Sequence, residues 1–300
     1  MSNKAPVRVF IGSGEASVLE RKTLIYSLRK HCSRELDIYV FNGTHNAIEH
    51  NDEPPVLANM SLNVKYRNYT EFSNYRFLIP EICGHEGRAI FLDSDMVCLG
   101  DIATFYDLPM EDNAMLAKPE AYQGDSCWGM SQILFDCSKC HFDLEKIFSE
   151  IDAGEYTNAD LHQMKPDFLK KYPYKLGSYD ATWNVFDQCD ASTNLVHFTN
   201  LGTQPWKFPG HPFEHVWFKY FNEARKAGVI TGQDLKKTLS RAYARQDILN
   251  PAKIADDKSA SKSASPATLP MVAASSKEPH VFKKLERKFR KFWRGEKKAG

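Results

Sequence analysis

The sequence predicts an α/β fold, a single Rossmann-like domain with a mixed central sheet, followed by C-terminal helices and a flexible tail. Three observations carry this. The chain opens with a β-branched run over residues 7–11, then Gly12-Ser13-Gly14, then a helical spacing of Val18, Ile25 and Leu28 to about His31, then a second strand over 38–41. Strand, glycine turn, helix and strand make a βαβ unit, the building block of parallel sheets. Residues 89–92 form an apolar run that leads straight into Asp93-Ser94-Asp95, as in a buried strand that delivers acids to the carboxyl edge of a sheet. From residue 252 the composition turns to Ser, Ala, Lys and Pro, which cannot bury a core.

The remaining elements follow in order. Asn42-Gly43 is a turn pair that closes the second strand, and the polar stretch 44–63 with Pro54-Pro55 reads as a long loop. Residues 72–83 have helical character and aim Arg76 at the sheet edge, before Gly84 and Gly87 break them. After the 89–93 strand come a short helix through Tyr106, strands at 114–117 and 132–135, and helices at 143–151 and 159–169. Residues 172–190 are irregular, and 195–198 are a short strand. Helices at 212–227 and 231–249 close the body. Gly228 stops the first, Thr231-Gly232-Gln233-Asp234 caps the second, and Pro251 ends it. The domain therefore covers 1–250, a Ser/Ala/Lys linker covers 251–279, and the last segment is 280–300.

Three hundred residues, 42% hydrophobic and 12% aromatic, suffice for one large domain with appendages. The net charge of +1 hides an asymmetry. Residues 280–300 hold nine Lys or Arg against two Glu, net +7, which leaves −6 on the rest. In that segment Val281, Phe282, Leu285, Phe289, Phe292 and Trp293 fall within an arc of roughly 120°, with the basic residues elsewhere. Such a basic amphipathic helix suits an anionic membrane surface. The body has no basic, aromatic-laced face, so a nucleic-acid role is not expected. No run is long enough to span a bilayer, and the start lacks the apolar core of a secretory signal, so a cytoplasmic chain peripheral to the inner face of the membrane is expected. Its seven scattered cysteines fit reduced thiols. Cys137-Ser138-Lys139-Cys140-His141 spells the attachment sequence of c-type haem, but such attachment needs export, and small buried cysteines are the better account.

Asp93 and Asp95 carry the chemistry. Two carboxylates so close repel each other, and taking them out of water without a counter-ion is costly, so a divalent cation is their natural partner. On spacing alone, a turn-capping acid beside a solvated one remains open. The Gly12-Ser13-Gly14 turn can present N–H groups to a phosphate or ribose, or be an ordinary tight turn, since it lacks a third glycine and a P-loop lysine.

Three pieces together resemble the family-8 glycosyltransferases, which include glycogenin and bacterial lipopolysaccharide galactosyltransferases. They are Arg76-Phe77, then Phe91-Leu92-Asp93-Ser94-Asp95 with Leu99-Gly100-Asp101-Ile102, and His197-Phe198-Thr199-Asn200 with Pro205-Trp206. The resemblance implies a GT-A domain that uses Mn²⁺ or Mg²⁺ and a UDP-sugar, transferring a hexose with retention to a glycan or glycolipid acceptor in surface polysaccharide or lipopolysaccharide synthesis. By matching position it makes Asp93, Asp95 and His197 metal ligands. It gives Ile11, Gly12, Ser13, Arg76, Asp93, Ser94 and Lys207 to the nucleotide-sugar, and Trp183, Asn184, Gln204 and Trp206 to the acceptor or sugar. Asp160 and Asp180 are its candidates beside the reacting carbon. Gln204 stands where the family often has Lys, and Gly129-Met130-Ser131 where it has Asn-Ala-Gly. Two other readings fit parts of the pattern: a non-catalytic nucleotide-sugar or glycan adaptor, and a haloacid-dehalogenase-like phosphatase using Asp93 as nucleophile.

Overall fold

The computed structural model describes residues 4–51, 53, 56–57, 70, 72–122 and 125–249. The linker, the basic segment and residues 52, 54–55 and 58–63 of the 44–63 loop lie outside the described residues. In chain order the elements are β1 (Val7–Ser13), α1 (Val18–His31), β2 (Leu36–Asn42), β3 (Ala47–His50), β4 (Val56–Leu57), α2 (Ile79–Ile82), β5 (Arg88–Asp93), β6 (Met96–Cys98), α3 (Ile102–Tyr106), β7 (Met115–Tyr122) and β8 (Asp125–Asp136). Then come α4 (Leu144–Asp152), α5 (Asn158–His162), α6 (Pro166–Lys171), β9 (Leu176–Gly177), β10 (Val185–Phe186), β11 (Leu195–His197), α7 (Glu214–Lys226) and α8 (Gly232–Ser240).

Eight strands form one mixed sheet in the order β4-β3-β2-β1-β5-β8-β7-β9. β1 runs parallel to β2 and β5, whereas β8 lies antiparallel to both β5 and β7. The βαβ unit and the central acidic strand are where the sequence puts them. Both faces of the sheet centre are covered, because β1 and β5 send alternate apolar residues to opposite sides. Phe10, Ala89 and Phe91 join one core with Ile147 and Phe148 of α4. Val9, Ile11, Ile90 and Leu92 join the other with Leu24, Ile25 and Leu28 of α1.

A second sheet, β10-β11-β6, sits beyond the end of β5. β11 is antiparallel to β6, pairing His197 with Met96 and Leu195 with Cys98. This small sheet matters for function, since it carries a residue distant in sequence to the end of the acidic strand.

Several boundaries differ from the sequence expectation. The polar stretch after Asn42-Gly43 contains β3, which pairs with β2 as a hairpin. The expected strands at 114–117 and 132–135 are parts of the longer β7 and β8, whose polar members obscure the apolar run. The expected helix at 159–169 breaks into α5 and α6 around Met164, which has φ 44, with Pro166 opening the second piece. The helix expected to reach 249 stops at Ser240, followed by Ala242 with φ 54 and a separate 3-10 turn at Gln246–Leu249. Residues 75–82 form a 3-10 turn running into α2, and the irregular 172–190 stretch holds the short β9 and β10.

Candidate functional site

The site forms where β5 ends. Four buried residues of β5 lead to Asp93, and the chain bends through Ser94 and Asp95 into β6. Pairing of β6 with β11 brings in His197, and the Phe198 N–H donates to the Asp95 carbonyl at 3.0 Å, clamping the two turns together. His197 Nε2 lies 3.0 Å from Asp95 Oδ1. One ligand atom from each of Asp93, Asp95 and His197 lies within 4.8 Å of the others. On its other side His197 Nδ1 sits 2.9 Å from Asn184 Oδ1, so the Nδ1–H donates there and Nε2 is left to face the acids.

Arg76 supports the cluster from below. Its Nε donates to the Ser73 carbonyl at 2.9 Å, its Nη1 to the Met130 carbonyl, and its Nη2 lies 3.4 Å from Asp93 Oδ1. The guanidinium also lies over the Phe91 ring, 4.6 Å from its centroid. One cation does not balance two carboxylates. Burial pushes the Asp93 carboxyl up to about 6, against the pull of Arg76 and with a further push from Asp95. Burial works against the His197 imidazolium, but Asp95 beside it, with Asp93 and Asp187, holds its pKa above the ordinary histidine value. An electron-rich set of two half-buried carboxylates and one buried imidazole fits a divalent cation, and its mixed O/N donors suit Mn²⁺ better than Mg²⁺. The second partner of His197, Asn184, is of the kind that orients metal-bound imidazoles.

The other sequence candidates fall into three groups. Ile11, Gly12 and Ser13 are the end of β1, and Gly12 pairs directly with Asp93. A Cβ on Gly12 would stand 2.3 Å from the Phe72 ring, so close packing accounts for this glycine. Ser94 is buried between the acids, and Lys207 is exposed.

Asn184 and Gln204 are buried and hold ligands. Gln204 Nε2 donates to Asp95 Oδ2 at 3.3 Å and to the Phe198 carbonyl at 3.1 Å, and Asn184 has φ 60 and also donates to Ser131 Oγ at 3.0 Å. Neither tryptophan offers an open face. Trp206 is 1% exposed, packed between Phe198 and Trp217, and Trp183 packs on Phe105, so the sugar-platform reading of these two is corrected to a core role.

Asp160 and Asp180 sit apart from the cluster's hydrogen bonds. Asp160 Oδ2 accepts from the Thr157 N–H and hydroxyl as the capping-box acid of α5. Asp180 accepts from the Thr182 N–H at 2.9 Å and from its hydroxyl.

Three residues beside the cluster escaped the sequence reading. Lys118 and Glu120 lie two apart on β7, a same-face charged pair that was the available signal. Lys118 Nζ donates to the Asn184 carbonyl at 2.9 Å and lies 3.3 Å from the Phe186 ring centroid, and burial holds its pKa below the usual lysine range. Burial also pushes the Glu120 carboxyl up, against Lys118 and His197. Glu20 of α1 is 3% exposed, and burial pushes it up to about 8, against its own backbone N–H and Lys207 and with a push from Asp95. Nothing in the local sequence of α1 marks it.

A family model described as glycosyl transferase family 8 matches residues 9–146, a span that includes Arg76, Asp93 and Asp95. Over these residues, somewhat under half of its length, the chain is similar to glycosyltransferase family 8. The match ends before His197, which in this glycosyltransferase is delivered by β11. Protein CDI of Arabidopsis thaliana is 26% identical over 253 residues, covering 75% of this chain and 90% of the relative. The galactosyltransferase LgtC, solved with donor and acceptor sugar analogs, superposes with a TM-score of 0.56 at 10% identity, covering 72% of this chain and 96% of its own. GlyE of Streptococcus pneumoniae gives 0.52 at 16% identity, covering 75% of this chain and 64% of its own. The bifunctional WbbM gives 0.51 at 14%, covering 75% of this chain and 52% of its own, so this glycosyltransferase spans about half of that protein. At such identities the likeness is one of fold, and the fold is the expected GT-A type. The match supports a glycosyltransferase enzyme.

Proposed function

We propose that the protein is a metal-dependent retaining glycosyltransferase that moves a hexose from a UDP-sugar to a glycan or glycolipid acceptor of bacterial surface polysaccharide or lipopolysaccharide synthesis. The observation that carries this reading is the convergence of Asp93, Asp95 and His197, with ligand atoms within 4.8 Å, at the end of the central strand. A divalent cation held by these three residues would supply Lewis-acid stabilisation of the diphosphate leaving group. Asn184 and Gln204 fix the orientations of His197 and Asp95, and Arg76 offsets part of the negative charge at Asp93. Lys207, exposed three residues beyond Gln204, is the cation available to a phosphate. Lys118, which donates to the Asn184 carbonyl, and Glu120, which feels the charge of His197, are charged side chains beside the cluster. The resemblance to LgtC, an enzyme captured with donor and acceptor sugar analogs, supports the donor class.

Residues 280–300 would hold the enzyme at the inner, cytoplasmic face of a membrane through their basic amphipathic pattern. Among the described residues no helix is long and apolar enough to cross a membrane.

A thermal-shift screen across nucleotide-sugars with and without Mn²⁺, followed by assay of released UDP, tests the reaction. Mn²⁺-dependent stabilisation by a UDP-sugar together with UDP release supports it, and binding without turnover would favour the adaptor reading. Co-sedimentation with anionic vesicles, with and without residues 280–300, tests the anchor, and equal binding by the two forms would refute it.

A further inference from the structure

The motif Cys137-Ser138-Lys139-Cys140-His141 has no part in sugar transfer, and its two cysteines have different neighbours. The Cys140 thiol donates to the Ala114 carbonyl at 3.4 Å. The Cys137 thiol instead hydrogen-bonds to that of Cys83, at the end of α2. The backbone accounts for this meeting. The Cys83 N–H donates to the Ile79 carbonyl at 2.9 Å as the C-cap of α2, and the chain then reverses through Gly84, His85 and Gly87, all of positive φ. That turn is bound to the end of β8, because the Cys137 N–H donates to the Gly87 carbonyl at 2.9 Å and His85 Nδ1 lies 3.0 Å from the Cys140 carbonyl. Arg8 of β1 completes the group. Its Nη1 donates to the Glu86 carbonyl at 3.4 Å, and the guanidinium also bonds to the Cys83 thiol.

Cys137 is fully buried, whereas Cys83, Cys32 and Cys189 are half-buried, and all are free thiols. Burial pushes the Cys32 and Cys189 thiols up. The hydrogen bond from Cys137, helped by Arg8 and opposed by burial, holds Cys83 below the usual thiol range. A reachable thiol beside a cation, touching a second thiol that stays protonated, is the arrangement of a reactive and a resolving cysteine. We propose that Cys83 is a site of reversible oxidation by a peroxide, with Cys137 as the thiol that resolves it to a disulfide. With hydrogen peroxide, the Cys83 thiolate sulfur attacks one oxygen, the O–O bond breaks, and hydroxide leaves while Cys83 becomes a sulfenic acid. The Cys137 sulfur then bonds to the Cys83 sulfur, and the sulfenic oxygen departs as water with the Cys137 proton. The two thiols lose two electrons and the peroxide becomes two waters. The new bond ties residues 75–82, which include Arg76, to the end of β8.

The test is peptide mapping of the full, pre-reduced chain after treatment with about one equivalent of hydrogen peroxide in chelator, with remaining thiols capped by N-ethylmaleimide. A Cys83–Cys137 disulfide that dithiothreitol reverses is expected, with Cys32 and Cys189 still capped. Cys137→Ser should lose the disulfide and leave Cys83 as a sulfenic acid that dimedone labels, and Cys83→Ser should leave Cys137 reduced. Melting curves establish that each variant is folded, and the wild-type map decides alone if one is not. Oxidation of Cys32 or Cys189 ahead of Cys83, a disulfide joining Cys83 to another cysteine, or Cys83 left reduced would each overturn the proposal.

Discussion

His197 Nδ1 lies 2.9 Å from Asn184 Oδ1, across the pair of short strands β10 and β11. That one hydrogen bond fixes the tautomer that turns Nε2 toward Asp93 and Asp95. Asn184 has φ 60, so Asn184→Gly removes the amide without straining the backbone. Mn²⁺ affinity in that variant should fall roughly 10- to 100-fold, the usual effect of deleting a partner that orients a ligand. Calorimetric titration with Mn²⁺ measures it directly, and an unchanged affinity would show that His197 needs no such support.

Arg76 anchors the floor of the site through Ser73, Met130, Asp93 and the face of Phe91. Arg76→Lys keeps the charge, but a single ammonium nitrogen does not reproduce the spread of three guanidinium nitrogens that each meet a different partner. A loss of about 1–3 kcal/mol is expected, the cost of leaving a buried acceptor unpaired. Denaturant unfolding checks this, and Arg76→Met should be less stable still, because the Asp93 charge then has no cation beside it.

Gly12 packs between Phe72 and Phe91, where an added Cβ would stand 2.3 and 2.9 Å from ring atoms. Gly12→Ala should cost about 1–3 kcal/mol through overpacking and displace the Phe72 ring. Urea unfolding midpoints of the two forms measure this effect.

Glu150 governs part of the acid stability. Burial alone would raise its pKa, but hydrogen bonds from Tyr156, Lys171 and Tyr172 hold it down to about 2. Tyr156 and Tyr172 donate to Oε2 at 2.7 and 2.8 Å, and Lys171 lies 3.0 Å from Oε1. Since the folded pKa lies below the ordinary value of 4.5, this contribution is complete above 4.5 and is lost as pH falls toward 2. Glu150→Gln should lower the melting temperature at pH 7 and flatten its dependence between pH 4.5 and 2.

The parts of this protein legible in the sequence are those where one strong local pattern meets one structural demand. The run ending in Asp93 is apolar because β5 is buried on both faces, and the opening βαβ unit follows from a short β-branched and aromatic run giving way to a helical spacing around Gly12-Ser13-Gly14. The cluster of Asp93, Asp95 and His197 was legible only through family resemblance, because its third member is set by the pairing of β6 with β11 across about a hundred residues. Trp206 shows the opposite failure. A tryptophan beside a site motif invites a sugar-stacking role, yet its ring is enclosed by Phe198 and Trp217 from another element, α7. Likewise, the left-handed backbone at Met164 and Ala242, which shortens the expected helices, has no glycine to announce it.

The most direct test of the central claim is release of UDP from a UDP-sugar donor by the wild type and by Asp95→Asn, each titrated with Mn²⁺ after removal of bound metal by chelation. The wild type should be inactive without Mn²⁺ and saturate as it is restored, while the folded variant should stay at least about a hundredfold slower throughout. Full activity of Asp95→Asn, or of the wild type in excess chelator, would contradict a metal-dependent transfer at Asp93, Asp95 and His197.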